Sequence, residues 1–303
     1  MIPRQYEEGL SEVVGFVLLL GVLVFALSIY QVYAVPAQGR CDEIDHMNEV
    51  KDFFLDYKLS LDSLWINDAT SVPLSTALDL GTGQATAAPS RWPPFLSPAA
   101  SAGSLSIREG DALTVETSDH PQGWEIPLGA LEYHSENRYW VDQTWTYQMG
   151  GVFLTQDSGT TIRLAPLFVV SDLAQTSASV SVTPVHVRGS GLVGGPGPVR
   201  LETRLQEMHG DREPYGDHAP SAWVRLSIRT DEPGRTAAWV RALEEAPKRE
   251  GISEEWYQVT RDGSVASIFI DGPDHSESKD VYLHVQRADF YASLHGAAAR
   301  IEG

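Results

Sequence analysis

Imidazole and carboxylate side chains crowd one loop in the C-terminal half of the chain, and they are the first candidates for chemistry. These groups are among the ligands that divalent cations take in proteins. Five of them fall close together: His209, Asp211, Glu213, Asp217 and His218. Their spacing does not match the EF-hand calcium loop, and in an acidic chain a solvated polar loop accounts for them better. We therefore predict no metal site and no cofactor.

A glycine-rich segment, Gly191–Gly197, lacks the features of a phosphate-binding loop. No Gly-Lys-Ser/Thr follows it, and Pro198 opens a predicted strand rather than a helix, so we predict a hairpin loop here. Neither a Gly-x-Ser-x-Gly elbow nor a His-Glu-x-x-His pair occurs in the chain. We therefore predict no catalytic residue and expect that the protein is not an enzyme.

The chain is strongly acidic and poor in lysine. Its 41 acidic and 22 basic residues leave a net charge of −19. Because nucleic-acid phosphates are bound by clustered Lys and Arg, this balance argues against nucleic acid as a partner. The single cysteine, Cys41, rules out an internal disulfide and a cysteine-based zinc site. A disulfide between the Cys41 residues of two subunits is one alternative. The favoured interpretation is that this thiol has no specific role.

An uncharged apolar segment covers residues 13–35. As a helix it is about 35 Å long, enough to cross a hydrocarbon core of roughly 30 Å. It is too long for the apolar part of a cleaved signal peptide, so we predict a retained transmembrane helix in the lipid bilayer. One arginine on each side leaves the orientation undecided by charge. The long segment that follows favours a cytoplasmic leader, residues 1–12, and an extracellular C-terminal domain in a single-pass cell-membrane protein.

The residues that open onto this helix carry a family resemblance. The run Glu8–Gly15, Glu-Gly-Leu-Ser-Glu-Val-Val-Gly, resembles the class III signal of archaeal type IV pilin-like proteins. Further segments resemble uncharacterised members of that group: residues 36–65, 91–99 and 131–152. The resemblance implies cleavage by a prepilin peptidase between Gly9 and Leu10, with the apolar helix kept in the mature protein. Glu8 itself and the position of Glu12, third after the cut, depart from the pattern of the group.

Glu12 has two interpretations. As a candidate assembly carboxylate, it would pair with the free N-terminal amine of a neighbouring subunit in a filament. The alternative is a charge at the headgroup level, close to a helix N-terminus. There the helix dipole favours an acidic side chain, and a carboxylate costs far less free energy than at mid-bilayer. The second interpretation is favoured.

Heptad-spaced apolar residues continue the helix beyond the membrane over residues 36–68, the predicted stalk helix. They step by three and four positions: Met47, Val50, Phe54, Tyr57, Leu61 and Leu64. Such a stripe is either an oligomer seam or the face with which one helix packs on its own domain. Its length, under three heptads, favours the second. Pro36 and Gly39 predict a kink where the chain leaves the membrane.

The remaining sequence divides into an Ala/Ser/Pro-rich linker, residues 69–103, and a β-rich ectodomain, residues 104–303. In the ectodomain apolar and polar residues alternate, and turn residues separate the runs. The predicted strands are 112–116, 139–147, 152–156, 161–164, 180–182, 185–187, 199–205, 224–228, 257–260, 266–270 and 281–285. Pro184 indicates a bulge or an edge strand. Trp92–Phe95 is predicted to cap an open end of the fold.

The predicted fold is therefore mainly β. A transmembrane helix is extended by an amphipathic helix and followed by an antiparallel β-sandwich-like ectodomain. One short helix, Thr236–Ala246, interrupts the strands.

Three functions are compatible with this organisation. The leading hypothesis is a structural or interaction protein, an archaeal pilin-like cell-surface subunit. Its partners would be the lipid bilayer and other pilin-like subunits or surface-layer proteins. The second is a bitopic surface binding module that does not assemble into filaments. The third, a membrane-tethered enzyme, is the least favoured because no catalytic motif is found.

Overall fold

One long N-terminal helix and a set of β-sheets make up the protein in a computed structural model. The structure describes residues 5–70, 72–82, 96–173, 176–210, 220–273 and 279–296, with side chains from residue 13 onward. The fold is mainly β, as predicted, and the helix precedes all of the described strands.

The N-terminal helix consists of α1 (Gln5–Ile29) and α2 (Val35–Ile66), which are joined through a π-helical turn, Tyr30–Ala34. Residues 13–29 of α1 are all exposed. Such a continuous apolar surface is unfavourable in water and calls for lipid or another apolar surface. The helix is long and apolar enough to cross a membrane, which confirms that part of the prediction.

The π turn ends two residues before Pro36, the residue at which a kink was predicted. Proline has no N–H, and its ring crowds the carbonyl four residues earlier, here that of Val32. The wider π turn gives the chain room for this ring without ending the helix. Gly39, the second residue of the kink prediction, lies inside the continuous helix α2.

Sixteen strands lie in the described residues, and their bounds follow chain order. They are β1 (Pro73–Asp79), β2 (Ala102–Thr117), β3 (Trp124–Glu136), β4 (Thr144–Gln148), β5 (Gly151–Gln156), β6 (Gly159–Leu164), β7 (Phe168–Leu173), β8 (Ser177–Val182), β9 (Val185–Arg188), β10 (Gly191–Gly195), β11 (Pro198–His209), β12 (Val224–Arg229), β13 (Tyr257–Asp262), β14 (Val265–Ile270), β15 (Val281–Val285) and β16 (Arg287–Gly296). A third helix, α3 (Pro233–Arg249), lies between β12 and β13.

The strands form three sheets. The largest has the order β13-β14-β12-β2-β3-β4-β5-β6, with β10 also paired to β2. A four-stranded sheet has the order β1-β11-β16-β9, and a three-stranded sheet has the order β15-β8-β7. The pairs are antiparallel, as predicted, except that β9 runs parallel to β16 and β8 runs parallel to β15.

The β2–β3 hairpin passes through two apolar cores. Leu105 and Tyr133, in its open half, lie in the core that α2 and the four-stranded sheet complete, here called the stalk core. Leu113 and Ile126, near its turn, lie in the core that α3 and the three-stranded sheet complete, the distal core. The pairing register shifts between the two halves, where Gly110 adopts a φ of +126° that favours glycine.

The heptad stripe of α2 packs into the stalk core of its own chain. All six of its residues are buried, and Phe54, Tyr57 and Leu61 have no exposed surface. The ring of Phe54 stacks on Trp145 with centroids 6.3 Å apart, and Tyr57 meets Tyr147 edge-on at 5.3 Å. Of the two interpretations of the stripe, the packing of one helix on its own domain is therefore the one found.

Two segments that were predicted as irregular contain strands. The predicted linker, residues 69–103, includes β1, whose seven residues pair with β11. The predicted hairpin loop Gly191–Gly197 includes β10, which pairs with the first half of β2. Both segments are poor in large apolar side chains, so their local sequence does not predict a strand. Each forms a strand because it pairs with one that is distant in the sequence. The Trp92–Phe95 capping prediction lies outside the described residues.

Other boundaries shift for identifiable reasons. The predicted strand 139–147 begins only at Thr144, because the loop before it is bound by a side chain of α2 that is described below. The change of phase at Pro184 marks the passage from the three-stranded to the four-stranded sheet, and β9 ends the order of the latter. Helix α3 extends the predicted Thr236–Ala246 at both ends, with Pro233 in its first turn.

We expect the packing of the stripe to dominate the stability of the domain. Phe54→Ala should lower the free energy of unfolding by about 3–5 kcal/mol, because it opens a cavity in a close-packed core. Leu59→Ala, on the same helix but 62% exposed, serves as the control and should change it by less than about 0.5 kcal/mol. The measurement is denaturant unfolding of the full chain in detergent micelles. Equal stability of the two variants would contradict the burial of the stripe.

Candidate functional site

The residues predicted to mediate processing and assembly lie at the N-terminal end of the long helix. Gly9, Leu10 and Glu12 all belong to α1, and their roles stay predictions. Of the polar loop considered as a cation site, only His209 and Gly210 are described. Within the described part of the chain, no group of three His, Cys, Asp or Glu side chains is arranged to hold a metal ion.

The junction between helix and domain is held by Glu43, a residue that the sequence did not single out. Its side chain is almost fully buried, and its two oxygens accept hydrogen bonds from three consecutive backbone N–H groups. The donors are Arg138 at 2.7 Å, Tyr139 at 2.8 Å and Trp140 at 2.6 Å. Charge-assisted bonds of this kind are among the strongest in proteins, so Glu43 fixes the loop between β3 and β4 against the helix.

Two further polar contacts tie α2 to the sheets. The Tyr133 hydroxyl donates a hydrogen bond to the Leu80 carbonyl at 2.8 Å and contacts His46 Nε2 at 3.2 Å. One turn after Phe54, the Tyr57 hydroxyl lies 3.1 Å from the Thr203 hydroxyl. Burial raises the pKa of Tyr57, which therefore stays neutral. These contacts set the position of α2 along its axis, which apolar packing alone specifies less strictly.

The loop between β3 and β4 lies beside the first turns of α2. Gly39 is in such close contact with Tyr139 that a Cβ at this position would overlap the tyrosine ring. The Arg40 guanidinium lies 4.9 Å from the centre of the Trp140 ring, within the range of a cation–π interaction. Cys41 is a free, exposed thiol on the same turn.

A charged network connects α3 to the β2–β3 hairpin at the register shift. The buried Arg235 guanidinium donates to Asp111 at 3.0 Å, and to Glu132 and Glu232 at 2.9 Å each. Asp111 also accepts a hydrogen bond of 2.6 Å from the Gln148 amide. Sequence separations of more than 100 residues, as between Asp111 and Arg235, hide such a network from any local pattern.

Two cavities flank this network, and both are rimmed by charge. One of about 220 Å³ is lined by residues that include Arg108, Glu232 and Arg235. The other, about 610 Å³, shares Asp111 with it and extends to His186. Both oxygens of Asp111 accept hydrogen bonds from within the chain. This carboxylate is therefore engaged in holding the hairpin and α3 together.

A second charged cluster surrounds Asp289 on β16. This carboxylate is 4% exposed and accepts a hydrogen bond of 2.8 Å from the Arg287 side chain. His186 lies 3.4 Å and His209 lies 3.2 Å from its oxygens. Burial alone would raise the pKa of Asp289, but the contacts with His186 and Arg287 outweigh it and lower this pKa to about 2. The cluster stabilises the charged carboxylate and joins β9, β11 and β16.

Comparison with known proteins assigns the chain to a family. Residues 99–289 match DUF7289, a family of unknown function, and this match covers more than half of the chain. The chain belongs to this family. The matched region includes both charged clusters and the loop held by Glu43, whereas α1 and α2 precede it. No curated protein and no solved structure matches the chain.

The contact between Glu43 and the loop predicts a local effect of mutation. Glu43→Gln should weaken the three backbone hydrogen bonds, with a cost of about 2 kcal/mol, because an amide offers one acceptor oxygen and no charge. Amide hydrogen exchange at residues 138–140 should therefore speed up about tenfold or more. Glu49→Gln, nearly two turns further along α2 and 71% exposed in its side chain, is the control. Unchanged exchange in Glu43→Gln would contradict the role of this carboxylate.

The pKa of Asp289 predicts how stability depends on pH. An unfolded Asp has a pKa near 3.9, so the folded-state value of about 2 contributes stability above that range, which is lost as the pH falls toward 2. Asp289→Asn should cost about 2 kcal/mol at pH 6, and the difference from wild type should shrink between about pH 4 and pH 2.

Unfolding free energies measured across this pH range test the prediction. Asp262→Asn, an exposed carboxylate at the end of β13, is the matched control and should behave as wild type. A loss in Asp289→Asn that is the same at pH 2 as at pH 6 would show that the charge of Asp289 is not responsible.

Proposed function

We propose that the protein is a membrane-anchored, archaeal pilin-like cell-surface protein with a structural or interaction role and no catalytic activity. In this proposal α1 spans the cell membrane once, the N-terminus is cytoplasmic and the β domain is extracellular. The partners are the lipid bilayer and other pilin-like subunits or surface-layer proteins.

The observation that carries the proposal is the division of one continuous helix into two halves. Residues 13–33 are exposed and apolar, whereas the stripe of α2 is buried in the stalk core. The helix has no linker between these halves, only the π turn at Tyr30–Ala34. A rigid connection of this kind fixes the β domain relative to the membrane, as suits a protein that presents a surface or transmits a load.

The polar clusters of the β domain support a structural role. The carboxylate of Asp111 and the guanidinium of Arg235 are used to join α3 to the hairpin. The carboxylate of Asp289 is used to join three strands. Their hydrogen bonds and ion pairs lie within the chain, and groups engaged in this way contribute to fold stability rather than to the binding of a reactant.

The alternative is a bitopic surface binding module that does not assemble, and one observation favours it. Because the heptad stripe is buried in its own domain, it is not available as a seam between subunits outside the membrane. Assembly would then depend on α1, with Glu12 as the candidate carboxylate. A mature protein that begins at Leu10 would support the pilin-like form, and an intact Met1 would support the plain anchor.

The single exposed thiol offers a direct test of the proposed topology. A membrane-impermeant maleimide added to intact cells should label Cys41, because this residue follows the apolar segment on the side of the β domain. A Cys41→Ser variant is the control for labelling specificity. Labelling that appears only after the cells are permeabilised would overturn the extracellular placement of the domain.

A further inference from the structure

The β domain meets the long helix at the end of its apolar segment. Tyr33 is 73% exposed, whereas Ala34, Val35 and Pro36 are half-buried and Gly39 is buried. The domain therefore begins to cover the helix where the apolar segment stops. If α1 spans a bilayer, this edge of the domain lies at its surface.

The rise per residue of an α-helix gives the distance of this edge from the end of the apolar segment. At 1.5 Å per residue, Gly39 lies about 6 Å beyond Val35, and Glu43 lies about 12 Å beyond it. The interfacial layer on each side of a bilayer is roughly 5–8 Å thick, the difference between its hydrocarbon core and its full width. The Tyr139 ring, which contacts Gly39, is thus at the level of the lipid headgroups.

The loop that carries this ring is held in place at that level. Glu43 binds the backbone of residues 138–140, and the Tyr139 hydroxyl accepts a hydrogen bond of 3.2 Å from the Ala99 N–H. We refer to residues 137–143 together with Pro98 and Ala99 as the aromatic edge. Its position relative to the helix is fixed by hydrogen bonds rather than by a flexible tether.

The side chains of the aromatic edge suit a bilayer surface. Tyr and Trp are enriched at membrane–water interfaces, where an apolar ring and a polar group are both accommodated. Trp140 stacks with the exposed Arg40, whose charge complements lipid phosphates, and Val141 is 43% exposed. The continuity of this edge with the apolar surface of α1 favours lipid over a second protein as its occupant.

We propose that the aromatic edge rests in the headgroup layer of the bilayer that α1 crosses, so that the β domain is docked on the membrane surface at two places. This inference rests on the proposed membrane anchoring of α1. It adds a second lipid contact, made by the β domain itself, which holds the domain upright on its helix.

Three single-cysteine variants of the full chain test the proposal. In a Cys41→Ser background, a bimane fluorophore is attached at Val141→Cys on the aromatic edge, at Val22→Cys in α1 or at Gln122→Cys. Gln122 is exposed in the β2–β3 turn, roughly 40 Å along the hairpin from the aromatic edge at 3.3 Å per residue. Each protein is reconstituted in phosphatidylcholine vesicles that contain lipids with a nitroxide quencher in the headgroup or in the acyl chain.

We expect headgroup nitroxide to remove most of the emission at position 141 and to leave that at position 122 unchanged. Acyl-chain nitroxide should quench position 22. Quenching at 22 with equal emission at 141 and 122 would overturn the docking of the aromatic edge alone. Unquenched emission at 22 would overturn the membrane anchoring itself.

A change in protein density separates lipid from a neighbouring copy as the occupant. Contact with lipid depends on the fold of one chain, so quenching at position 141 should stay the same when the protein-to-lipid ratio is lowered tenfold. Quenching at 141 that changes on dilution would show that a second copy covers the aromatic edge, and the proposal would then be wrong.

Discussion

The burial of one face of α2 in its own β domain is the interaction on which the rest of the structure depends. The apolar surface of α1 suits lipid and needs no partner in the chain. The stripe of α2 from Met47 to Leu64, by contrast, completes a core that the sheets alone leave open. This packing places Glu43, His46 and Tyr57 against their partners in the sheets. The position of the domain at the end of the apolar segment follows from it.

The sequence was informative where a pattern is local. Alternating apolar residues predicted strands such as β12 and β15, and heptad spacing predicted the buried face of α2, because in each case burial on one side is enough to produce the pattern. The strands β1, β3, β7, β10 and β16 were not predicted. The composition of β1 and β10 is that of a loop, and their stability comes from pairing with β11 and β2. Strand pairing between distant segments leaves no local signal.

The polar contacts that organise the structure were not predictable for a related reason. Glu43 binds backbone N–H groups that any sequence could supply, 95 to 97 residues further along the chain. The local sequence does not distinguish Asp111 or Arg235 from other charged residues. They come together only in the folded structure, at the register shift in the hairpin. The N-terminal residues Gly9, Leu10 and Glu12 are the opposite case. The sequence singled them out through a family resemblance, and their roles are still predictions.

The topology of the stalk core also sets the order in which the protein can fold. Helix α2 leaves the ribosome early, but β11 and β16, which supply Leu205 and Phe290 to its core, are made late and last. Contacts between segments that are far apart in the sequence form slowly. Apolar surface that is exposed before these contacts form can associate with other chains. The stripe is therefore covered in stages, because Trp145 and Tyr147 of β4 can contact Phe54 and Tyr57 well before β11 and β16 are made. The stalk core is complete only when β16, the last of the described strands, has been made and has added Phe290 to it.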